Sequence, residues 1–202
     1  MSNINWDGPF LFEVPLPPLL PEITLPFPTY GLNGGAGFTG GTFVGEEDYL
    51  PPPSSFNEPV GVDLVDLAFF GHDLDTELAA GDPILQAQAD YDLLQELVDF
   101  NRHDLADPEA SLYAGVAELG MILSLAINPV GIDLTPKELA KDTRDAIQNI
   151  EYGLRHLGPE EFQDVQEWLS GIYTALDDFN LQPNVVLELA GLHHHTVDLL
   201  LA

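Results

Sequence analysis

Proline and glycine crowd the first 60 residues of this chain, which limits where helices can form. Seven prolines fall between residues 7 and 29, at positions 9, 15, 17, 18, 21, 26 and 28. Proline fixes φ and lacks a backbone N–H, so this segment should be extended or polyproline-like, with short edge strands at best. Residues 31–45 are rich in glycine, and an acidic, proline-containing loop follows them. We therefore predict an extended Pro/Gly-rich arm over residues 1–60.

The pattern changes after Gly61. Apolar residues three and four positions apart share a helical face, and their spacing predicts helices over residues 62–80, 83–103, 109–127, 136–157 and 159–178, with a last segment near 183–200. Asp82 and Thr135 each precede a proline, an arrangement typical of a helix start. We predict an all-α fold in which residues 61–104 form a helix pair and residues 105–202 form a C-terminal helical region that packs with it.

The charge of the chain limits its partners. It has 34 acidic and 5 basic residues, for a formal net charge of −29. Five basic side chains are too few to neutralise the phosphates of a nucleic acid, and we therefore exclude nucleic acid as a partner. Strongly anionic membranes should also repel this surface. Salt or bound cations must screen the self-repulsion, which favours a saline or calcium-rich medium. The chain has no cysteine and no apolar run of about 18 residues, so we expect neither a disulfide nor a membrane-spanning helix.

Two polar side chains interrupt the apolar faces of the first two predicted helices. His72 shares a face with Phe69, and Asp90 shares one with Leu94. Because the connection at residues 80–82 is short, the helices should be antiparallel and their apolar faces should meet, which lets His72 reach Asp90. A buried carboxylate fixes the tautomer of an imidazole and raises its basicity, so the other ring nitrogen is left to take a proton from water. The alternative is a histidine that is simply satisfied within the core, and the sequence leaves both interpretations open.

Asp73 follows His72 and lies on the side of the helix that carries Asp66 and Glu77. One interpretation is a solvated acidic stripe, which is common in so acidic a protein. The other is a ligand for a hard cation, since calcium takes several oxygens, often backbone carbonyls of a glycine-rich turn together with a carboxylate. A glycine-rich segment precedes this helix, so the sequence is compatible with a calcium site.

The same residues resemble a known family. The run Val62-Asp63-x-x-Asp66-x-Ala68-x-x-x-His72-Asp73 is similar to the calcium-binding and catalytic helix of secreted phospholipases A2. Upstream, the spacing of the family's calcium loop is present in Tyr30-Gly31-x-x-x-Gly35-x-Gly37. Downstream, the family's second helix, whose aspartate pairs with the histidine, resembles Ala89-Asp90 followed by Leu93-Leu94. Within the family, this sequence is most similar in character to the viral-capsid branch, which also lacks cysteines.

The chain departs from the family pattern at three places. Ala68 and Phe69 stand where the family has cysteines, as expected for a core without disulfides. Thr76 replaces a tyrosine, which removes one hydrogen bond to the paired aspartate. The segment between Gly37 and His72 is longer than in the family, because it contains an acidic, proline-rich insertion.

The resemblance implies a calcium-dependent phospholipase A2-like hydrolase that cleaves a phospholipid ester at a membrane interface. His72 would be the general base that activates water, and Asp90 would orient its ring. Calcium would be the cofactor, and it would polarise the ester carbonyl and stabilise the oxyanion. Its ligands would be the Asp73 carboxylate and the backbone carbonyls of Asn33, Gly35 and Gly37.

Two other functions stay open. The chain is alternatively a non-catalytic acidic protein that kept a degenerate phospholipase-like core and binds calcium or a basic protein partner. A third possibility is a protein of a halophilic cytoplasm, in which the charge only maintains solubility. Residues 197–202 place an aspartate before an apolar tail, as the ends of bacterial type I secretion substrates do, although a last helical turn docked on the core explains them equally well. We predict a secreted protein, with the halophilic cytoplasm as the alternative.

Overall fold

The computed structural model describes residues 3–14, 23–35, 38–39, 42–43, 61–100, 105, 107–127, 132 and 134–178. Within these residues the chain is mostly helical, which confirms the all-α prediction in its coarse form. The predicted segment near 183–200 lies outside the described residues. The helices of the described part are α1 (Leu64–Ala79), α2 (Pro83–Asp99), α3 (Pro108–Ile127), α4 (Pro136–His156) and α5 (Pro159–Asp178).

In the described part of the N-terminal region, two pairs of strands precede the helices. β1 (Ile4–Val14) pairs antiparallel with β2 (Ile23–Tyr30), and β3 (Phe38–Thr39) pairs antiparallel with β4 (Thr42–Phe43). Among the described residues each sheet has two strands, so each of these strands is an edge, where proline is tolerated because an outward-facing position needs no backbone N–H. The rest of the predicted arm, including residues 15–22 and 44–60, lies outside the described residues.

The start signals in the sequence are present as helix caps. The Asp82 carboxylate accepts a hydrogen bond from the backbone N–H of Ile84 at 2.9 Å, and a proline opens the helix. Thr135 and Glu138 form a capping box, in which each side chain accepts from the backbone N–H of the other residue. Ala80 follows α1 in the left-handed conformation, with φ of 49°. These signals are local, and all five predicted helices from 62–80 to 159–178 are present, although the helix predicted over 83–103 ends at Asp99.

An apolar core joins the helices to β2. α1 packs on α2, α2 packs on α3, and α3 packs on α4, while α5 contacts both β1 and β2. α3 and α4 approach each other closely at Gly115, where an added Cβ would lie 2.5 Å from the Ala146 carbonyl oxygen. No helix in the described ranges is both long and apolar enough to cross a bilayer. The buried core residues include Ile4, Tyr30, Val65, Leu97, Tyr113, Ile150 and Val165.

Candidate active site

His72 and Asp90 contact each other across the α1–α2 hairpin. His72 lies seven residues before the end of α1 at Ala79, and Asp90 lies seven residues after the start of α2 at Pro83. Since the two helices are joined by a short turn, these positions face each other at the same height. His72 Nε2 lies 2.9 Å from Asp90 Oδ1, so the contact predicted from the sequence is present. We call these two residues the His–Asp pair.

The His–Asp pair lies at the edge of the core rather than within it. Phe69 and Leu94, on the same two helical faces, are buried. The side chains of His72 and Asp90 are 17% and 26% exposed. The sequence predicted a buried pair, and the structure corrects this to a half-buried one. Water therefore reaches the pair.

The contact with Asp90 decides which nitrogen of His72 is available for chemistry. A carboxylate accepts hydrogen bonds, so the proton of the neutral ring resides on Nε2 and is donated to Asp90. Nδ1 then carries the lone pair. Asp73 Oδ1 lies 4.0 Å from Nδ1, which is beyond hydrogen-bond distance. His72 can therefore accept a proton at Nδ1.

Asp73 acts electrostatically on Tyr113, a buried residue that contacts the end of β2. The side chain of Asp73 is 18% exposed. Burial raises the pKa of Tyr113 above its ordinary range, and the negative charges of Asp66 and Asp73 raise it further. The Tyr113 hydroxyl donates to the Pro28 carbonyl at 3.1 Å, and its ring stacks on Tyr30 with centroids 5.0 Å apart. Asp66 and Asp73 thus act on the same buried ring beside β2.

Residues 30–35, which we call the glycine turn, follow β2. The backbone N–H groups of Tyr30 and Gly34 donate to each other's carbonyls at 2.7 and 2.8 Å. Gly31 and Gly35 have φ of 55° and 141°, values that favour glycine. The Tyr30 hydroxyl donates to Asp63, the residue that caps α1. The turn is therefore closed on itself and attached to the start of α1.

The predicted metal ligands fall partly in this turn. Asn33 and Gly35 are buried within it, whereas Gly37 lies outside the described residues. The backbone N–H of Asn33 donates to Asp66 at 2.7 Å. In the part of the chain that the structure describes, no group of three or more His, Cys, Asp or Glu side chains could hold a metal ion. A calcium site here would depend on the Asp73 carboxylate and on backbone carbonyls.

Asp66 corrects the interpretation of an acidic stripe. Glu77 is exposed, as a solvated stripe requires, but Asp66 is 0% exposed. Burial raises the pKa of Asp66, and hydrogen bonds from the backbone N–H groups of Leu32, Val62 and Asn33 oppose that increase. The sequence signal that locates Asp66 is its spacing of three residues from the cap residue Asp63, which places it in the first turn of α1.

A second polar contact lies between α3 and α4, and the sequence did not reveal it. The Asn149 amide donates to Glu118 Oε1 at 2.8 Å, and the two side chains are 3% and 0% exposed. Burial raises the pKa of Glu118 to about 8, and the carboxylates of Asp145 and Asp142 add to the increase, while the Asn149 bond and Lys141 lower it. Glu118 and Asn149, which we call the Glu–Asn pair, are sealed from water.

Comparisons of this chain with family models, with curated proteins and with solved structures each find no match. The chemistry of the His–Asp pair must therefore be argued from its own geometry. That geometry contains a histidine oriented by a carboxylate, a second ring nitrogen that does not contact that carboxylate, partial exposure to solvent and a further carboxylate 4.0 Å from the ring.

Proposed function

We propose that this chain is a calcium-dependent hydrolase of the phospholipase A2 type, which cleaves a phospholipid ester with an activated water. The observation that carries the proposal is the 2.9 Å contact between His72 Nε2 and Asp90 Oδ1 at the solvent edge of the α1–α2 hairpin. A general base needs an orienting partner and a route for water, and this pair has both. The resemblance of the α1 sequence to the family's catalytic helix supports the same function.

In this proposal His72 acts as the base and Asp90 orients it. A water molecule attacks the ester carbonyl carbon, and its proton passes to Nδ1 of His72 as the new C–O bond forms. Asp90 accepts the Nε2–H and stabilises the imidazolium by its negative charge. When the bond to the glycerol oxygen breaks, the proton passes from Nδ1 to that oxygen. The products are a fatty acid and a lysophospholipid.

Asp73 and the glycine turn offer oxygen ligands of the kind that calcium accepts, which supports calcium as the cofactor. Asp73 supplies a carboxylate beside the base, with Oδ1 4.0 Å from His72 Nδ1. Asn33, Gly35 and Gly37 would supply backbone carbonyls, which calcium accepts as ligands more readily than transition metals do. The bound ion would supply positive charge that polarises the ester carbonyl. Since the chain carries a net charge of −29, zwitterionic lipid suits it better than anionic lipid.

The test is ester release from phosphatidylcholine vesicles by the folded chain, with calcium and with a chelator. We expect release in the presence of calcium and none in the presence of the chelator. The rate with calcium should be about 10²- to 10⁴-fold lower in His72→Gln, because the base is lost. His156→Gln is the matched control, since His156 is exposed and contacts the Tyr152 carbonyl on its own helix. Its rate should equal that of the wild type. Absence of release under both conditions would end the proposal.

The net charge of −29 favours one alternative, an acidic calcium-binding or partner-binding protein without catalysis. Calorimetry with calcium separates the two functions. One tight site that disappears in Asp73→Ala supports the enzyme. Many weak sites that persist in Asp73→Ala support the alternative, because binding would then arise from the acidic surface as a whole.

A further inference from the structure

We infer that Asp66 is a positioning residue, whose buried carboxylate holds the glycine turn against α1 and thereby sets the calcium affinity of the neighbouring site. This inference rests on the proposed function, since it concerns the same site. Asp66 is assigned no role as a metal ligand. It acts through the backbone of the turn, and the contacts that support this role are independent of the His–Asp pair.

The carboxylate of Asp66 joins the turn to α1 through backbone N–H groups. Asp66 Oδ1 accepts from Asn33 N at 2.7 Å, and Asp66 Oδ2 accepts from Leu32 N at 2.9 Å. Oδ2 also accepts from Val62 N at 2.8 Å, just before α1 begins. The Asn33 side-chain amide contacts the Asp66 backbone carbonyl at 3.5 Å. One buried side chain therefore connects two segments that lie more than 30 residues apart in the sequence.

Only a carboxylate can make this set of bonds. Both of its oxygens accept, and here both face N–H donors. An asparagine at the same position would turn an NH₂ group toward donors, which leaves at least one buried N–H without an acceptor. The fit is close as well, because an added Cβ on Gly31 would lie 2.4 Å from the Asp66 carboxyl carbon. The turn has room for glycine there and for no larger residue.

The position of Asp66 on α1 links the turn to Asp73. The two aspartates are seven residues apart, which is about two helical turns and about 10 Å along the axis, so they lie on the same face. The charges of both residues also raise the pKa of the buried Tyr113. A turn fixed by Asp66 is thereby held on the face that carries Asp73. Outer residues that orient metal ligands typically change metal affinity by about 10- to 100-fold when they are replaced.

Calcium titration of Asp66→Asn by calorimetry tests the inference on the full chain. We expect the calcium Kd to rise about 10- to 100-fold. The calcium concentration that gives half-maximal ester release should rise by a similar factor in Asp66→Asn. The matched control is Asp142→Asn, which makes the same change at a carboxyl that is 2% exposed on α4. A merely structural role would lower the stability of both variants and leave both Kd values unchanged.

A second measurement needs no variant. Amide hydrogen exchange of the wild type without calcium should show slow exchange at Leu32 and Asn33, because Asp66 already holds these N–H groups. Fast exchange at both amides would overturn the inference, even if Asp66→Asn does not fold. Calcium binding by the wild type with an unchanged Kd in Asp66→Asn would overturn this inference alone. A wild type that binds no calcium would overturn both this inference and the proposed function.

Discussion

The His–Asp pair and the Glu–Asn pair are contacts of nearly the same length in very different surroundings. His72 Nε2 lies 2.9 Å from Asp90 Oδ1, and Asn149 Nδ2 lies 2.8 Å from Glu118 Oε1. Each contact joins two neighbouring helices. The first pair is 17% and 26% exposed, whereas the second is 0% and 3% exposed.

The comparison shows that depth, rather than hydrogen-bond length, separates a pair suited to chemistry from one suited to structure. Water reaches His72, so protons can pass between the ring and solvent. Glu118 is sealed, and burial raises its pKa to about 8, which keeps the carboxyl protonated at neutral pH. A neutral acid that is hydrogen-bonded to an amide is the form that a closed helix interface tolerates.

Replacement of Asp90 should have the largest effect. Asp90→Asn removes the charge that orients His72, so we expect calcium-dependent ester release to fall about 10²- to 10⁴-fold. Stability should change little, because the pair is half-buried. Vesicle assays and urea denaturation measure the two quantities. Asp92→Asn is the matched control, since Asp92 is exposed on α2 and contacts Gln88. Equal rates in both variants would mean that Asp90 has no catalytic part.

The pH dependence of stability should reveal the Glu–Asn pair. The folded-state pKa of Glu118, about 8, is higher than its ordinary value of 4.5. Between these values the folded chain holds a proton that the unfolded chain has lost, so the free energy of unfolding should fall as pH rises. The expected slope from this group is about −1.4 kcal/mol per pH unit, and the stabilisation is lost as pH passes through 8.

Glu118→Gln should remove that slope, because a glutamine does not ionise. Urea denaturation from pH 5 to pH 9 measures the free energy of unfolding of wild type and variant. In the difference between the two, the titration of all other groups cancels. Glu77→Gln, at an exposed position of α1, is the control, and its free energy of unfolding should change with pH as that of wild type does. If the free energy of unfolding of Glu118→Gln also changed with pH as that of wild type does, the raised pKa of Glu118 would be contradicted.

The smallest expected effect concerns the amide partner. Asn149→Ala leaves the buried Glu118 without its donor, so the free energy of unfolding should fall by about 1–3 kcal/mol at neutral pH. Ester release at a temperature where the variant is folded should equal that of wild type, since α4 carries no part of the candidate site. A loss of activity without a loss of stability would contradict the division between the two pairs.

Local sequence signals were sufficient for the helices and for the facing of His72 and Asp90. Asp82 caps helix α2, which begins at a proline, and α4 begins at the capping box of Thr135 and Glu138. The His–Asp contact followed from helical periodicity and a short connection, which together leave little freedom to two neighbouring helices. The sequence predicted a more deeply buried pair than the structure shows, because depth depends on how the rest of the fold covers the hairpin.

Contacts between distant segments were beyond the sequence pattern. Asp66 looked like part of a solvated stripe, and only its bonds to the glycine turn show that it is buried. Glu118 lies within a predicted helix, and the sequence around it does not indicate that its partner is Asn149, which is 31 residues away.

The sequence by itself determined where helices start, which faces are apolar and that one histidine faces one aspartate, because these depend on residues a few positions apart. Tertiary structure decided which acids are buried. The energy of a carboxyl group depends on the donors and the solvent around it, and here those donors come from remote parts of the chain.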